Sequence, residues 1–456
     1  MQPAVEYRAG QEESLLRQLS VVGLWLLIVN GMIGAGIFGL PGELARLAGP
    51  ASVWIFPLCA LLVAPIILCF AQLSSCFRGT GGPILYAASA FGPMAGFQVG
   101  WLYYISRILS FAANLNLLIV SVGYFWPALA DGSVRVAATF VVCAAMTLSN
   151  VLGARGTVSI LGFLTVLKFV PLLAIVGYGL IHFEVGSLLA NADAQIAVSD
   201  LGGAVFLAFY AYVGFEGGLV PAGEAHRPQR DLPRALLAAL AVCAVVYAAI
   251  QAVSLASLPA LGDSTRPLVD VAAAQMGEIG ALAMLLAIVA SVGGNLLGAM
   301  FSTPRLTYRL AIDGFLPSAL GRVHPRYHTP AVSIVLYGAA SFGFAISGGF
   351  VWLAGLSLLA RIILYAVCVS ALPTLRQRHA ANAELWRLRG GLLWVVLALG
   401  VCAGLLWQVT LQSLLVTGGC VLAGGCLYLL GARRQGRTSG QGSNDAVVRS
   451  SRRPID

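Results

Sequence analysis

The sequence predicts an all-α integral membrane protein of about twelve transmembrane helices, ten of them in two inverted five-helix repeats and two more at the C-terminal end. Three observations carry this prediction. The 456 residues are 59% hydrophobic and only 10% charged, with a mean hydropathy of +0.88, where a soluble domain carries roughly 25% charged residues. Apolar runs of about 20 residues, long enough to cross a bilayer, recur along nearly the whole chain. Two of those runs, five spans apart, are interrupted in the middle by glycine clusters.

Residues 1–19 are polar and mixed in charge. They lack the apolar core and small-residue cleavage site of a signal peptide and read as a cytoplasmic tail. The apolar spans then lie near 20–46, 50–76, 94–126, 134–151, 157–182, 199–225, 235–258, 279–305, 329–347, 350–373, 391–410 and 412–431. The first repeat is expected over 20–182 (spans one to five), the second over 199–373 (spans six to ten), and spans eleven and twelve over 391–431. Residues 432–456 are rich in Arg, Ser, Gly and Gln, the composition of a disordered cytoplasmic tail.

The formal charge of +9 raises nucleic acid as a partner, but its placement argues against it. With the N-terminus inside, one side collects Arg78, Arg155, Arg227, Arg230, Arg234, Arg322, Arg326, Arg376, Arg378, Arg387, Arg389 and the arginine-rich tail. The other side holds Arg46, Arg135 and Arg266 beside Asp131, Glu184, Asp193, Asp263 and Asp270. That is the positive-inside asymmetry of a multi-pass protein of the plasma membrane, with both termini cytoplasmic. The nine cysteines sit almost entirely in apolar segments without CxxC pairs, and read as small packing residues. No motif calls for a metal or cofactor, and none for an obligate protein partner; lipid is the expected surround.

The first break lies in NGMIGAGIFGLPG, Asn30 to Gly42. Glycine costs a helix about 1 kcal/mol per position and proline about 3, so this stretch is built to interrupt a span. Gly34, Gly36 and Gly39 fit the GxGxxG dinucleotide fingerprint, but no strand precedes them and no acidic residue follows about 20 positions on. Close packing through small residues is the plainer alternative. The sixth span, LGGAVFLAFYAYVGFEGGLVPAGEAHRP, has a second break at Gly214, Glu216, Gly217 and Gly218. An odd separation makes the two broken spans enter the membrane from opposite sides, the signature of a transporter's central site. Unwound backbone at that depth must line a cavity or meet a ligand. A half-helix starting near Ala35–Ile37 presents free N–H groups to a carboxylate. Half-helices ending near Met32–Ile33 and Tyr210–Val213 present free carbonyls to an ammonium. Together they suit an α-amino acid.

At these residues the sequence resembles the amino acid–polyamine–organocation (APC) permease superfamily, which has the LeuT-type fold. GMIGAGIF is similar to that family's first-span motif; AYVGFEG with HRPQRDLPRAL is similar to its sixth-span break and basic loop. RLTYRLAIDGFLP is similar to its eighth-span end, with Ile312 where the family has arginine. The resemblance implies a carboxylate site at Gly34, Ala35 and Gly36, extending to the Ile37 N–H. It implies an ammonium site at the carbonyls near Ile33, Tyr210 and Val213, beside Gly214. Side-chain walls would come from Tyr103, Phe215 and Asn295.

Four ionisable residues lie well inside spans: Arg107, Lys168, Glu216 and Arg361. Each is expensive there and is a functional candidate by default. Glu216, within the second break, reads either as a proton relay or as a brace for the broken backbone. The arginines cannot release protons; they read as anchors of ion pairs or carbonyl networks, or as binders of an acidic substrate. Of the 27 basic residues, 26 are arginine and the single lysine is Lys168. Lysine can cycle between charged and neutral forms where arginine cannot. The resemblance implies that Lys168 stands beside the first break and couples transport to protons.

The expected function is secondary active import of amino acids, neutral or hydrophobic L-amino acids in particular, by proton-coupled alternating access. The partners called for are therefore a small amino acid substrate and protons. The same architecture serves amino acid exchange, the alternative reading. A membrane-embedded enzyme is disfavoured, because no Ser/His/Asp or metal-ligand set sits at membrane depth.

Overall fold

The computed structural model describes residues 20–77, 82–153, 157–182, 198–219, 228–379, 386, 388 and 390–450. The N-terminal tail, the acidic residues Glu184 and Asp193 and the loop arginines Arg78, Arg155, Arg227, Arg387 and Arg389 lie outside them. Among the described residues the regular structure is helical throughout.

The first predicted span is two helices. Ser20 accepts the Gly23 N–H on its hydroxyl at 3.1 Å and caps α1 (Val21–Met32). Ile33 and Gly34 leave helical geometry, with Gly34 at φ −126° and ψ −153°, and α2 (Ala35–Ala48) begins immediately after. The chain then runs through α3 (Ser52–Ser75), α4 (Pro83–Phe91), α5 (Pro93–Val122), α6 (Gly132–Val151) and α7 (Thr157–Ile181).

The sixth span is broken in the same way. Helix α8 (Val198–Ala211) stops at a turn over 212–214, and a 3₁₀ segment, Phe215–Leu219, follows. Gly214 has φ +112°, a conformation that side chains with a Cβ rarely adopt. Helices α9 (Pro228–Ser257), α10 (Pro267–Ser302), α11 (Pro304–Ile312), α12 (Ala331–Ser347), α13 (Phe350–Arg378), α14 (Gly391–Trp407) and α15 (Leu411–Ser450) complete the chain.

By length and composition, eight described helical segments can cross a membrane. Shorter apolar helices stand at Val21–Met32, Lys168–Ile181, Ala331–Ser347 and Gly391–Trp407. Two boundaries differ from the sequence reading. Helix α10 starts at Pro267, twelve residues before the predicted span, because proline opens a helical segment that bends at Gly277 (φ +64°) before the apolar run. Helix α15 runs to Ser450, past the end of the predicted span at 431. A nucleated helix propagates at one bond per residue fixed, but the stretch apolar enough for a membrane ends at Arg433.

The packing places both breaks at the centre. Helix α1 lies against α9, α2 against α8, α3 against α9, α5 against α13 and α7 against α10. The largest fully buried side chains include Phe56, Tyr212, Tyr247, Phe215, Tyr365 and the lysine, Lys168.

Candidate functional site

The two breaks open onto one cavity of about 220 Å³, smaller than the roughly 300–1,000 Å³ of drug-sized pockets and suited to a small solute. The first break contributes Asn30, Gly31, Met32, Gly34, Ala35 and Gly36, and the second contributes Tyr210, Val213, Gly214 and Gly217. Helix α5 presents Arg107, Ser110, Phe111 and Asn114, the i, i+3, i+4, i+7 stripe of one helix face. Gly294, Asn295, Gly298 and Ala299 of α10 and Arg361 of α13 close the wall.

Sequence spacing requires close approach here. A Cβ on Gly31 would lie 2.6 Å from the Gly214 carbonyl oxygen, so the two breaks touch backbone to backbone. A Cβ on Gly34 would lie 2.7 Å from Asn295 Nδ2, which sets the amide of Asn295 directly against the break. Gly36 lines the cavity too, but its Cβ direction faces the other way, 2.7 Å from the Ala211 Cα. That glycine serves the packing of α2 on α8 as much as access to the backbone.

The start of α2 leaves the N–H groups of Ala35, Gly36 and Ile37 without intrahelical acceptors, at the positive end of the helix dipole. Ile37 is fully buried and does not line the cavity, where Ala35 and Gly36 do. The carbonyl side is more occupied than the sequence suggests. The Tyr247 hydroxyl of α9 sits between the last carbonyl of each broken helix, 2.9 Å from Met32 O and 3.1 Å from Ala211 O. The Ile33 carbonyl accepts both Lys168 Nζ at 2.8 Å and Ser291 Oγ at 3.3 Å. Two donors fill its two lone pairs, which withdraws Ile33 as an acceptor for a substrate ammonium. Gly31 and Val213 also line the cavity, and Tyr210 O already accepts the Val213 N–H at 3.3 Å.

Lys168 is fully buried. Its ammonium also reaches Asn30 Oδ1 at 2.6 Å and Asn30 O at 3.2 Å, so all its acceptors belong to the first break. Through the shared Ile33 carbonyl it joins α7 to Ser291 of α10. The second break has its own buried charge. Glu216 Oε1 pairs with Arg361 Nη1 at 3.0 Å, both residues nearly inaccessible. Its Oε2 accepts the Gly214 N–H at 3.0 Å and the Tyr365 hydroxyl at 2.9 Å. Arg361 in turn donates to Ser106 Oγ and Ser110 Oγ of α5, each at 3.3 Å. Of the two readings of Glu216, this geometry favours the brace.

Two expected pocket walls lie elsewhere. Phe215 is buried behind the break, edge-on to Phe70 at 5.5 Å and tilted against Tyr365 at 5.4 Å. Tyr103 continues the α5 stripe one turn beyond the cavity's edge, packed against the core; Arg107 takes the place expected of it. The residues that sequence reasoning missed are Asn30, Ser110, Asn114, Ser291, Tyr247 and Tyr365. Polar side chains in apolar spans were the available signal for the first four. A tyrosine in an apolar helix gave none.

Over residues 19–425 the chain matches the family model described as amino acid permease. It is similar to the methylthioribose transporter of Bacillus subtilis, at 26% identity over 93% of this chain and 95% of that protein. It is similar to the branched-chain amino acid permease BcaP of the same organism, at 26% identity over 72% of this chain and 74% of that one. Human cationic amino acid transporter 4 is 27% identical over 72% of this chain but only 54% of its own length. The family and these relatives are permeases and transporters rather than enzymes, and the apolar helices make the chain a multi-pass membrane protein. With the match running over most of its length, the chain belongs to the amino acid permease family.

Proposed function

We propose that this permease imports amino acids by proton-coupled alternating access, through twelve spans of which the first ten form two inverted repeats. We place it in the plasma membrane with both termini cytoplasmic. The observation that carries the reading is the meeting of both helix breaks at one cavity, lined by Ala35 and Gly36 at the start of α2 and by Gly31 and Val213 at the ends of the opposed helices. Opposed half-helices of this kind read the carboxylate and ammonium of an α-amino acid without a charged side chain. Lys168 supports proton coupling, because the side chain that holds the first break is the chain's one titratable cation at membrane depth. Its proton is not committed to a carboxylate partner among the described residues.

A preference for neutral or hydrophobic substrates rested on apolar, aromatic walls. The lining carries Leu27, Met32, Phe111, Tyr210 and Val213 beside the polar Asn30, Arg107, Ser110, Asn114, Asn295 and Arg361, so the walls are mixed and do not by themselves set that preference. The relatives do not set it either, since one is named for branched-chain and another for cationic amino acids.

The test is uptake of a panel of labelled amino acids into proteoliposomes, with and without an imposed pH gradient. Accumulation driven by the gradient in the wild type, and its loss in Lys168→Ala with binding retained, is the expected result. Uptake that ignores the pH gradient and requires amino acid inside the vesicle would make the protein an exchanger. Gradient-driven accumulation by the alanine variant would remove Lys168 as the coupling residue.

A further inference from the structure

Arg107 is the charge that the site does not otherwise explain. It lines the cavity, half-buried, from the middle of α5. Among the described residues its side chain makes one hydrogen bond, to Thr303 Oγ1 at 3.5 Å, and no carboxylate lies within ion-pair distance of it. Arg361, the other guanidinium on the wall, is neutralised by Glu216. Two arginines against one carboxylate leave the wall with one net positive charge.

A guanidinium keeps its charge at any physiological pH, and an uncompensated one at membrane depth is costly unless something arrives to pair with it. The carboxylate and ammonium of an amino acid cancel each other, and the helix ends already offer partners for both. What is left over on the wall is a forked, five-donor cation suited to bidentate pairing with a second carboxylate. A cationic side chain would meet a like charge in a low-dielectric cavity, where repulsion is strongest. We infer that the site selects amino acids whose side chain carries a carboxylate, and that Arg107 is the residue that binds it. This rests on reading the cavity as the amino acid site.

Equilibrium binding to the purified full-length protein, with labelled L-glutamate as probe and L-glutamine, L-leucine and L-lysine as competitors, tests it. Glutamate and glutamine share shape and differ in charge. Glutamate is expected to bind about tenfold or more tightly than glutamine, and lysine most weakly. Arg107→Gln should remove the glutamate advantage while shifting glutamine affinity little, and Arg107→Lys should keep part of it. The backbone bond from the Tyr337 hydroxyl to Arg107 O, at 3.0 Å, is untouched by either change. Should the glutamine variant fail to fold, the wild-type comparison decides alone. Equal binding of glutamate and glutamine, or equal losses for both in Arg107→Gln, overturns the inference but leaves the transport reading standing. Failure of every amino acid to bind overturns both.

Discussion

Glu216→Gln isolates the brace at the second break. The substitution keeps volume and leaves one carbonyl oxygen, which in the place of Oε2 can accept from both the Gly214 N–H and the Tyr365 hydroxyl. Its amide NH₂ then faces Arg361 Nη1, which the carboxylate holds at 3.0 Å, so a donor meets a donor. Arg361 keeps only the two serine hydroxyls of α5 at 3.3 Å. Removing one partner of a buried ion pair costs about 3–5 kcal/mol, most of it the charge left behind. Arg361 borders the cavity, where water can approach, so the lower end applies: about 3 kcal/mol, roughly a hundredfold in the folded-to-unfolded ratio. Heating detergent-solubilised protein and following the surviving monodisperse fraction by size exclusion ranks wild type, Glu216→Gln, Arg361→Met and the double variant. The double variant removes both charges, so it should be more stable than the sum of the single losses predicts. A Glu216→Gln protein within about 0.5 kcal/mol of wild type, or strictly additive losses, would refute the brace.

Gly214→Ala should destabilise by at least about 2 kcal/mol in the same assay, through a Cβ at φ +112° aimed at the Gly31 backbone; wild-type behaviour would mean that the breaks do not meet. Tyr247→Phe strips one shared donor from Met32 O and Ala211 O and is expected to cost about 1–2 kcal/mol. It should also speed amide exchange at the ends of α1 and α8, and unchanged exchange there would count against the contact. On a cysteine-free background, single cysteines at the exposed positions 133 and 378 should label from opposite faces, with 378 cytoplasmic. Labelling of both from one face would overturn the topology.

Both breaks were legible in the sequence because glycine and proline carry a local cost that no amphipathic pattern offsets. Gly34 and Gly214 fall within the glycine clusters that mark the breaks, Asn295 lines the cavity, and Lys168 hydrogen-bonds to the first break. What could not be read was which way a side chain leaves a helix that is apolar on every face. Phe215 and Tyr103 have the residue type of a pocket wall, yet tertiary packing turns one into the core and leaves the other past the cavity's end. Arg107, one turn from Tyr103, was recognised as costly, but only the absence of a carboxylate beside it among the described residues gives that cost a direction. The hidden part of the site is the set of donors already satisfying backbone carbonyls. Tyr247 and Ser291 come from helices outside the two broken spans, and their contacts are 215 and 258 residues apart in sequence.

The two buried charges at the breaks are not equivalent, and their partners separate their roles. Glu216 accepts from a backbone N–H, a hydroxyl and a guanidinium. A proton arriving on either oxygen would displace one of these donors, and the one facing Oε1 is a cation with no other carboxylate near it. Lys168 donates only to neutral oxygens, those of Asn30 and Ile33. Losing a proton there leaves an amine that can still donate two hydrogen bonds while the attraction of a full charge for three oxygens disappears. The first break would loosen from α7 without any group being left as an unpaired ion. In a proton-coupled mechanism the movable charge therefore belongs at Lys168, while the Glu216–Arg361 pair keeps the second break in one shape as the first is released. The comparison is measurable: Lys168→Ala should abolish pH-driven accumulation in the protein that folds, whereas Glu216→Gln should lower stability yet keep that accumulation. The reverse pattern in the two assays would exchange their roles.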